Sequence, residues 1–393
     1  MTADFPLRLE PTVSVKRWMR IAFVIGIVML VVSIIGAFIT PEAFFRSYLM
    51  SYLFWIGLTL GSMAVVMLQY LTGGRWGIIV RRPLESAAQT LPLLIVLFIP
   101  IVFGIPYLYV WDHPEIVMND DLLRHRAVYM NAPMFLVRAV IYFAIWMTLI
   151  YLLNRWSSQQ DKFGGLTRKL ERLSAPGLIL YVFTVTFAAI DWAESIEPHW
   201  QSTMWGFLFV AGQGLLATAF AIIMLAWLGK KSTLSTILKP SHFHDLGKLL
   251  LMWVMIWAYF SFSQLVIVWS GNLTGEIPWY LHRLHTSWGW LGAFLIIFQF
   301  IVPFLLLLSR PIKRNALLLS GVVGILIVMR FVDLTWIVMP SFYTKGFQVS
   351  WLMFSLPIAI GGLWIAYFLW RLSSRPLLPV HATGIEEIWH AKE

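Results

Sequence analysis

Long apolar stretches separated by short polar segments dominate the hydropathy pattern of this chain. A helix that crosses a bilayer needs about 20 consecutive, mostly apolar residues, and ten stretches meet that requirement. The pattern predicts an all-α polytopic membrane protein with about ten transmembrane helices. The predicted spans are 18–40, 46–72, 88–110, 132–153, 176–196, 202–228, 246–270, 286–308, 315–338 and 350–371.

The ten spans predict one membrane domain over residues 18–371. Residues 1–17 form an N-terminal segment and residues 372–393 a C-terminal tail. The first apolar run, Trp18 to Ile39, is long enough to span and lacks the small-residue cleavage site of a signal peptide, so it is interpreted as a retained anchor. Only 12% of the residues are charged, against roughly 25% in a soluble domain. The composition leaves no room for an attached soluble domain.

Basic residues are distributed unevenly between the two sides of this predicted bundle. Ten spans bring both termini to one side, and 22 of the 29 lysines and arginines lie on that side. Because cytoplasmic loops carry an excess of Lys and Arg, both termini are predicted to be cytoplasmic. The net charge of +10 is thus an orientation signal and does not indicate nucleic-acid binding.

A weak internal repeat divides the chain. Arg82-Pro83 precedes the third span, and Lys239-Pro240 precedes the seventh. Two four-helix bundles, spans 2–5 and 6–9, would explain the match, with spans 1 and 10 at their flanks. A chance match is the alternative at this stage.

The absence of cysteine limits the chemistry of the chain. It excludes thiolate-held iron–sulfur clusters, CxxCH haem attachment and disulfides. None of the nine histidines lies in the middle of a predicted span, which argues against a bis-histidine haem. Any electrons would have to be carried by other proteins.

Several charged residues lie inside the spans, near the predicted outer side. Asp191 and Glu194 share one helix face in the fifth span, and Arg330 and Asp333 do so in the ninth. A carboxylate at mid-membrane costs about 2.5–3.5 kcal/mol on insertion scales, so such groups face the bundle interior or water. The polar groups predicted to gather at this outer level are Arg138, Asp191, Glu194, Gln264, Glu276, Arg330 and Asp333.

Two interpretations of this outer level remain open. The charges either pair structurally or lie beyond the hydrocarbon. Alternatively, they form a pocket that binds a quinol head group and receives its protons, since a carboxylate in an apolar pocket can have its pKa raised enough to accept one.

A second polar set lies at the cytoplasmic edge. His242, His244 and Asp245 could ligate a metal, but the lack of a further nearby ligand favours a solvated turn and no metal site. Together with Glu85, they could instead mark the place where protons enter from the cytoplasm. The residues of this second candidate set are Glu85, His242, His244 and Asp245.

Four long segments carry a family resemblance. They are MNAPMFLVRAVIYF (130–143), DWAESIEPHWQSTMWG (191–206), FSQLVIVWSGNLTGEIPWYLHR (262–283) and RFVDLTWIVMP (330–340). In this order they resemble segments of the NrfD/polysulfide-reductase-C-like integral membrane subunits of bacterial alternative complex III, and the chain length is similar to the smaller of the two related subunits.

The resemblance implies a function in a respiratory complex of the bacterial inner membrane. It implies a cofactor-free subunit of a quinol:cytochrome c oxidoreductase, with menaquinone or ubiquinone as substrate and a contribution to a quinone pocket or to proton translocation. The implied partners are a sister NrfD-like subunit and subunits that carry iron–sulfur clusters and c-type haems. Two alternatives remain: a secondary transporter with an outer charged pocket, and a structural scaffold for the sister quinol-oxidising subunit.

Overall fold

The computed structural model describes residues 13–231 and 237–379 and is almost entirely helical. Within these residues, ten helices are long and apolar enough to cross a membrane. The prediction of an all-α polytopic membrane protein is confirmed. The spanning helices are α1 (Val13–Ile39), α2 (Pro41–Thr72), α3 (Trp76–Phe103), α4 (Ala132–Phe163), α5 (Thr167–Trp192), α6 (Trp205–Lys231), α7 (Pro240–Gly271), α8 (Trp288–Leu308), α9 (Ala316–Val338) and α10 (Leu352–Ser373).

The loops cluster at two faces of the bundle. The face where α1 begins and α10 ends is called the terminal face, and the opposite one the distal face. Short helices cover the distal face, and one more lies at the terminal face between α8 and α9. The distal helices are Ile105–Leu108, Val110–Asp112, Pro114–Met118, Asp121–Arg126, Glu194–Ile196, Ile277–Leu284 and Met339–Ser341, and the terminal one is Arg310–Arg314.

The third span was misplaced by the hydropathy scan, which predicted residues 88–110. It begins near Trp76 instead. The scan failed because α3 buries Arg81, Arg82 and Glu85, whose charges lower the local hydropathy although all three lie inside the protein. Beyond Gly104 the chain turns into the short helices of the distal face.

Two four-helix bundles form the core, as the weak repeat suggested. Helix α2 packs against α3 and α5, and α4 packs against α5; in the second half, α6 packs against α7 and α9, and α8 against α9. The halves meet where α2 crosses α6. These are the two most buried spans, because each is surrounded by other helices.

Helices α1 and α10 flank the bundles. Helix α1 packs along α10, which in turn packs on α2. At the crossing, a Cβ on Gly362 would lie 2.6 Å from the carbonyl oxygen of Ala22, so only glycine lets the two backbones approach this closely. The outer face of α1 exposes apolar side chains such as Phe23 and Ile35, as expected of a surface in contact with lipid.

Candidate functional site

The first predicted charge pair lies between α4 and α5. Nε of Arg138 donates to one carboxylate oxygen of Asp191 at 2.8 Å, and Nη2 donates to the other at 3.0 Å. The hydroxyl of Tyr142 donates to Asp191 at 2.8 Å. The guanidinium also lies over the ring of Tyr129, 3.8 Å from its centroid. Asp191 is therefore fully engaged, and its geometry is that of a structural ion pair.

Glu194 is placed differently although it follows Asp191 by only three residues. Helix α5 ends at Trp192, and Glu194 begins a 3₁₀ turn. It is 8% exposed. One carboxylate oxygen accepts from the backbone N–H of Ser202 at 3.1 Å. The other is buried and has no hydrogen-bond partner among the described residues.

Glu194 lines a cavity of about 380 Å³, called the Glu194 cavity. The cavity is between the end of α5 and the distal half of α7, where Gln264 is buried. The amide oxygen of Gln264 accepts a hydrogen bond from the hydroxyl of Ser202. Glu276 contributes a second carboxylate to the wall. The structure thus brings three predicted residues together: Glu194, Gln264 and Glu276.

The remaining walls of this cavity combine a cation with apolar surface. Arg126 donates to the carbonyl of Pro198 and, at 3.2 Å, to the side-chain oxygen of Gln201. Trp200 is stacked on Trp279 with ring centroids 4.5 Å apart. The apolar lining comes from Met130, Ile190, Ile267 and Val268. The cavity can therefore hold a flat, largely apolar molecule with polar groups at its edge.

Arg330 and Asp333 form a separate cluster inside the second bundle. They are hydrogen-bonded to each other, and the indole N–H of Trp257 donates to Asp333 at 3.1 Å. Gly212 of α6 leaves room for the guanidinium, because a Cβ there would lie 2.2 Å from its central carbon. No hydrogen bond or ion pair among the described residues joins this cluster to Asp191 or Glu194. The residues predicted to form one outer level thus lie in three places.

A buried arginine at the distal face was missed by the sequence analysis. Arg283 is completely buried and stacks 3.5 Å above Trp279. It donates to Glu197 at 3.3 Å and to the carbonyl oxygen of Ile337 at 2.9 Å, so it ties the loop after α5 to the end of α9. Burial lowers the pKa of Arg283 to about 10. The local signal was a Trp four residues before an Arg on a short helix, which places an aromatic ring beneath the guanidinium.

The predicted terminal-face residues divide between the two bundles. Glu85 is buried in the first bundle, where it is ion-paired with Arg82 at 2.6 Å and accepts hydrogen bonds from Tyr70 and Ser157. At the start of α7, His242 is buried and accepts from the backbone N–H of Lys239.

The other two members of this predicted set also belong to α7. Asp245 is paired with Lys248 at 3.4 Å, and both side chains are exposed. His244 lies on the turn between His242 and Asp245, and its Nδ1 is buried. No group of three His, Cys, Asp or Glu residues within the described part of the chain could hold a metal ion.

The search for proteins like this one gave no match, neither among the models of protein families nor among curated proteins.

Proposed function

We propose that the chain is a membrane subunit of a quinol-oxidising electron-transfer complex and that the Glu194 cavity takes the quinol head group. The observation that carries this proposal is the buried carboxylate of Glu194, which lines the cavity and has one oxygen without a hydrogen-bond partner among the described residues. Leaving a buried polar atom unsatisfied costs about 1–3 kcal/mol. A ligand that donates a hydrogen bond to this oxygen would recover that energy.

A quinol fits the donor and acceptor pattern of the cavity. Its two hydroxyls are donors, and Glu194 and Glu276 offer acceptors on the wall. A space of about 380 Å³ with Trp200 and aliphatic side chains on its wall is large enough for its ring. A quinone, which has no hydroxyl donor, would leave Glu194 unsatisfied. The cavity therefore favours the reduced form.

Glu194 would serve as the first proton acceptor during oxidation. Oxidation of a quinol to a quinone releases two protons and two electrons. One quinol hydroxyl would pass its proton to Glu194, which burial makes a better base than an exposed carboxylate, and the other would pass its proton to Glu276 on the same wall. The electrons would go to a haem or iron–sulfur centre of a partner subunit, as the family resemblance implies. Arg138–Asp191 and Arg330–Asp333 would hold the helices around the cavity.

The secondary-transporter alternative has one observation in its favour. Helix α3 is interrupted after Ala88 and Val96, and α8 contains a π-helical turn at Ile296–Ile301. Transporters often use discontinuous helices at their binding sites. The interruptions here lie away from the Glu194 cavity, which is lined by α5 and α7.

Purification from native membranes separates these two functions. We expect the full chain, extracted in mild detergent, to come out with haem- and iron-containing subunits and quinol:acceptor activity. A chain that purifies alone or as a homo-oligomer, with solute uptake after reconstitution, would support the transporter.

The role of the cavity is tested by Glu194→Gln in the assembled complex. This change keeps the size of the side chain but removes the base, so quinol-dependent reduction of the acceptor should fall about 100-fold, within the range for a lost general base. The matched control is Glu115→Gln, an exposed carboxylate on the same face, which should leave turnover unchanged. Equal rates in both variants would exclude Glu194 as the proton acceptor.

A further inference from the structure

Four arginines gather at the terminal face of the first bundle, far from the Glu194 cavity. Arg81 and Arg82 are buried on α3, and Arg371 and Arg375 come from the end of α10 and the residues after it. These four residues are called the arginine cluster. In the sequence they contributed to the orientation signal, and Arg82 also to the weak internal repeat.

Two carboxylates lie near the cluster, and among its four arginines Arg82 is the one that is ion-paired with them. Arg82 donates to Glu85 and to Asp161. Ser157 and Tyr70 occupy the second oxygen of Glu85 at 2.7 and 2.9 Å. Both carboxylates are therefore engaged.

The other three guanidiniums donate only to neutral amide oxygens among the described residues. Arg81 donates to Gln69 at 3.0 Å and is stacked on the ring of Tyr70. Arg371 donates to Gln89, and Arg375 donates to Asn154 at 3.0 Å. Among the described residues, four positive and two negative charges leave an excess of two positive charges at a partly buried site, an arrangement that costs energy unless an anion joins it.

The pKa of Arg375 agrees with this excess of positive charge. Burial lowers the pKa of Arg375, and the neighbouring Arg82 and Arg371 lower it further against the opposing effect of Glu85. Arg371 and Arg375 are both partly exposed, so their remaining N–H donors are accessible from outside the protein.

A tryptophan beside the cluster indicates where the anion comes from. Trp370 is 50% exposed and lies under the Arg371 guanidinium, 5.4 Å from it. Exposed tryptophans at the ends of membrane helices lie at the level of the lipid head groups. Basic pockets at helix ends bind anionic head groups.

We propose that the arginine cluster binds the phosphate of an anionic lipid head group, with Arg371 and Arg375 as its direct donors and Arg81 and Arg82 supplying positive potential behind them. Guanidinium groups suit this ligand because their paired N–H donors match two phosphate oxygens. The bound lipid would join the end of α10 to α3 and α4.

The test titrates the delipidated full chain in detergent with lipids and follows its thermal unfolding. Phosphatidylglycerol should raise the unfolding temperature well above the effect of phosphatidylcholine, whose choline cancels the phosphate charge. Inorganic phosphate alone should not reproduce the effect. Equal stabilisation by both lipids would overturn the proposal, and full stabilisation by inorganic phosphate would overturn the lipid assignment. This titration uses the unaltered chain, so it does not depend on any variant folding.

Two double variants locate the site. Arg371→Gln with Arg375→Gln should weaken phosphatidylglycerol binding about 30-fold, the factor expected when two basic side chains are lost. Arg168→Gln with Arg172→Gln removes the same charge from exposed positions on the same face and should weaken it no more than about threefold. Equal losses in the two variants would mean nonspecific attraction and would overturn the assignment to the arginine cluster.

The acidic residues of 380–393 are the competing occupant. If removal of residues 380–393 is needed before phosphatidylglycerol binds, the tail fills the site and the lipid proposal is wrong.

Discussion

Asp191 and Glu194 are only three residues apart in sequence, yet Asp191 forms an ion pair and Glu194 lines a cavity. Both were predicted to share one helix face and one pocket. The end of α5 at Trp192 changes the geometry, so Asp191 stays inside the bundle with Arg138 and Glu194 turns toward the cavity. The prediction that charged residues of α4, α5 and α9 meet at one level assumed that α5 stays helical through Glu194, with Asp191 and Glu194 on the same face. The end of α5 therefore decides which of the two carboxylates is a structural partner and which is free to act as a base.

The Arg138–Asp191 pair should matter for stability. In Asp191→Asn the partly buried guanidinium of Arg138 loses its counter-charge, which should lower the free energy of unfolding by about 3 kcal/mol, the low end of the range for a buried pair. Asp121→Asn is the control, because its pair with Arg124 is exposed and such pairs contribute about 0–1 kcal/mol. Reversible unfolding in detergent with a denaturant series measures both. A loss in Asp191→Asn no larger than that in the control would show that the pair is not structural.

At the scale of helices, α2 and α6 approach each other closely in the protein centre. A Cβ on Gly61 would lie 2.2 Å from the carbonyl oxygen of Gln213, whereas a Cβ on Gly57, one turn earlier, would lie 3.4 Å from the Gln213 side chain. The first contact is with backbone, which cannot move without separating the helices. The second is with a flexible side chain.

These two glycines give a matched pair of variants. Gly61→Ala should destabilise the protein by about 1–3 kcal/mol through overpacking, and Gly57→Ala should have a much smaller effect. The melting temperatures of the two purified variants measure the difference. Equal melting temperatures would contradict the close packing of α2 on α6.

Helix α8 shows which features of an element a hydropathy scan misses. The scan located the span at 286–308, and the helix occupies Trp288–Leu308. The π-helical turn at Ile296–Ile301 was not predicted, since all but one of its residues are apolar. That one is Gln299, which is completely buried; its amide N–H donates to the carbonyl of Met329, and its amide oxygen shares the indole N–H of Trp257 with Asp333. The turn places a polar side chain against α7 and α9.

At the scale of the whole molecule, the two bundles present different surfaces to the two sides of the membrane. The distal face carries the Glu194 cavity and the Arg283 contact, and the terminal face carries the arginine cluster. The basic excess on the terminal side predicts that this face is cytoplasmic. The quinol site that we propose would then lie near the outer surface, where its protons would be released.

The orientation can be measured directly because the chain has no cysteine. A single Glu115→Cys on the distal face should react with a membrane-impermeant maleimide in intact cells. A single Lys169→Cys on the terminal face should react only after the cells are permeabilised. Both positions are exposed. The opposite labelling pattern would reverse the proposed orientation.

The sequence by itself determined the number of spans, the approximate position of all but the third, and the arrangement of both ends of the bundle on one side. It did so because a helix in lipid satisfies its own backbone hydrogen bonds, so its length and apolar composition are local properties. Only the tertiary structure decided which polar groups are paired. Glu197 and Arg283 are far apart in sequence, as are Gln89 and Arg371, and they meet only because particular helices pack at a particular rotation and depth. The unpartnered oxygen of Glu194 has the same origin, since it depends on where the 3₁₀ turn and the loop to α6 leave space.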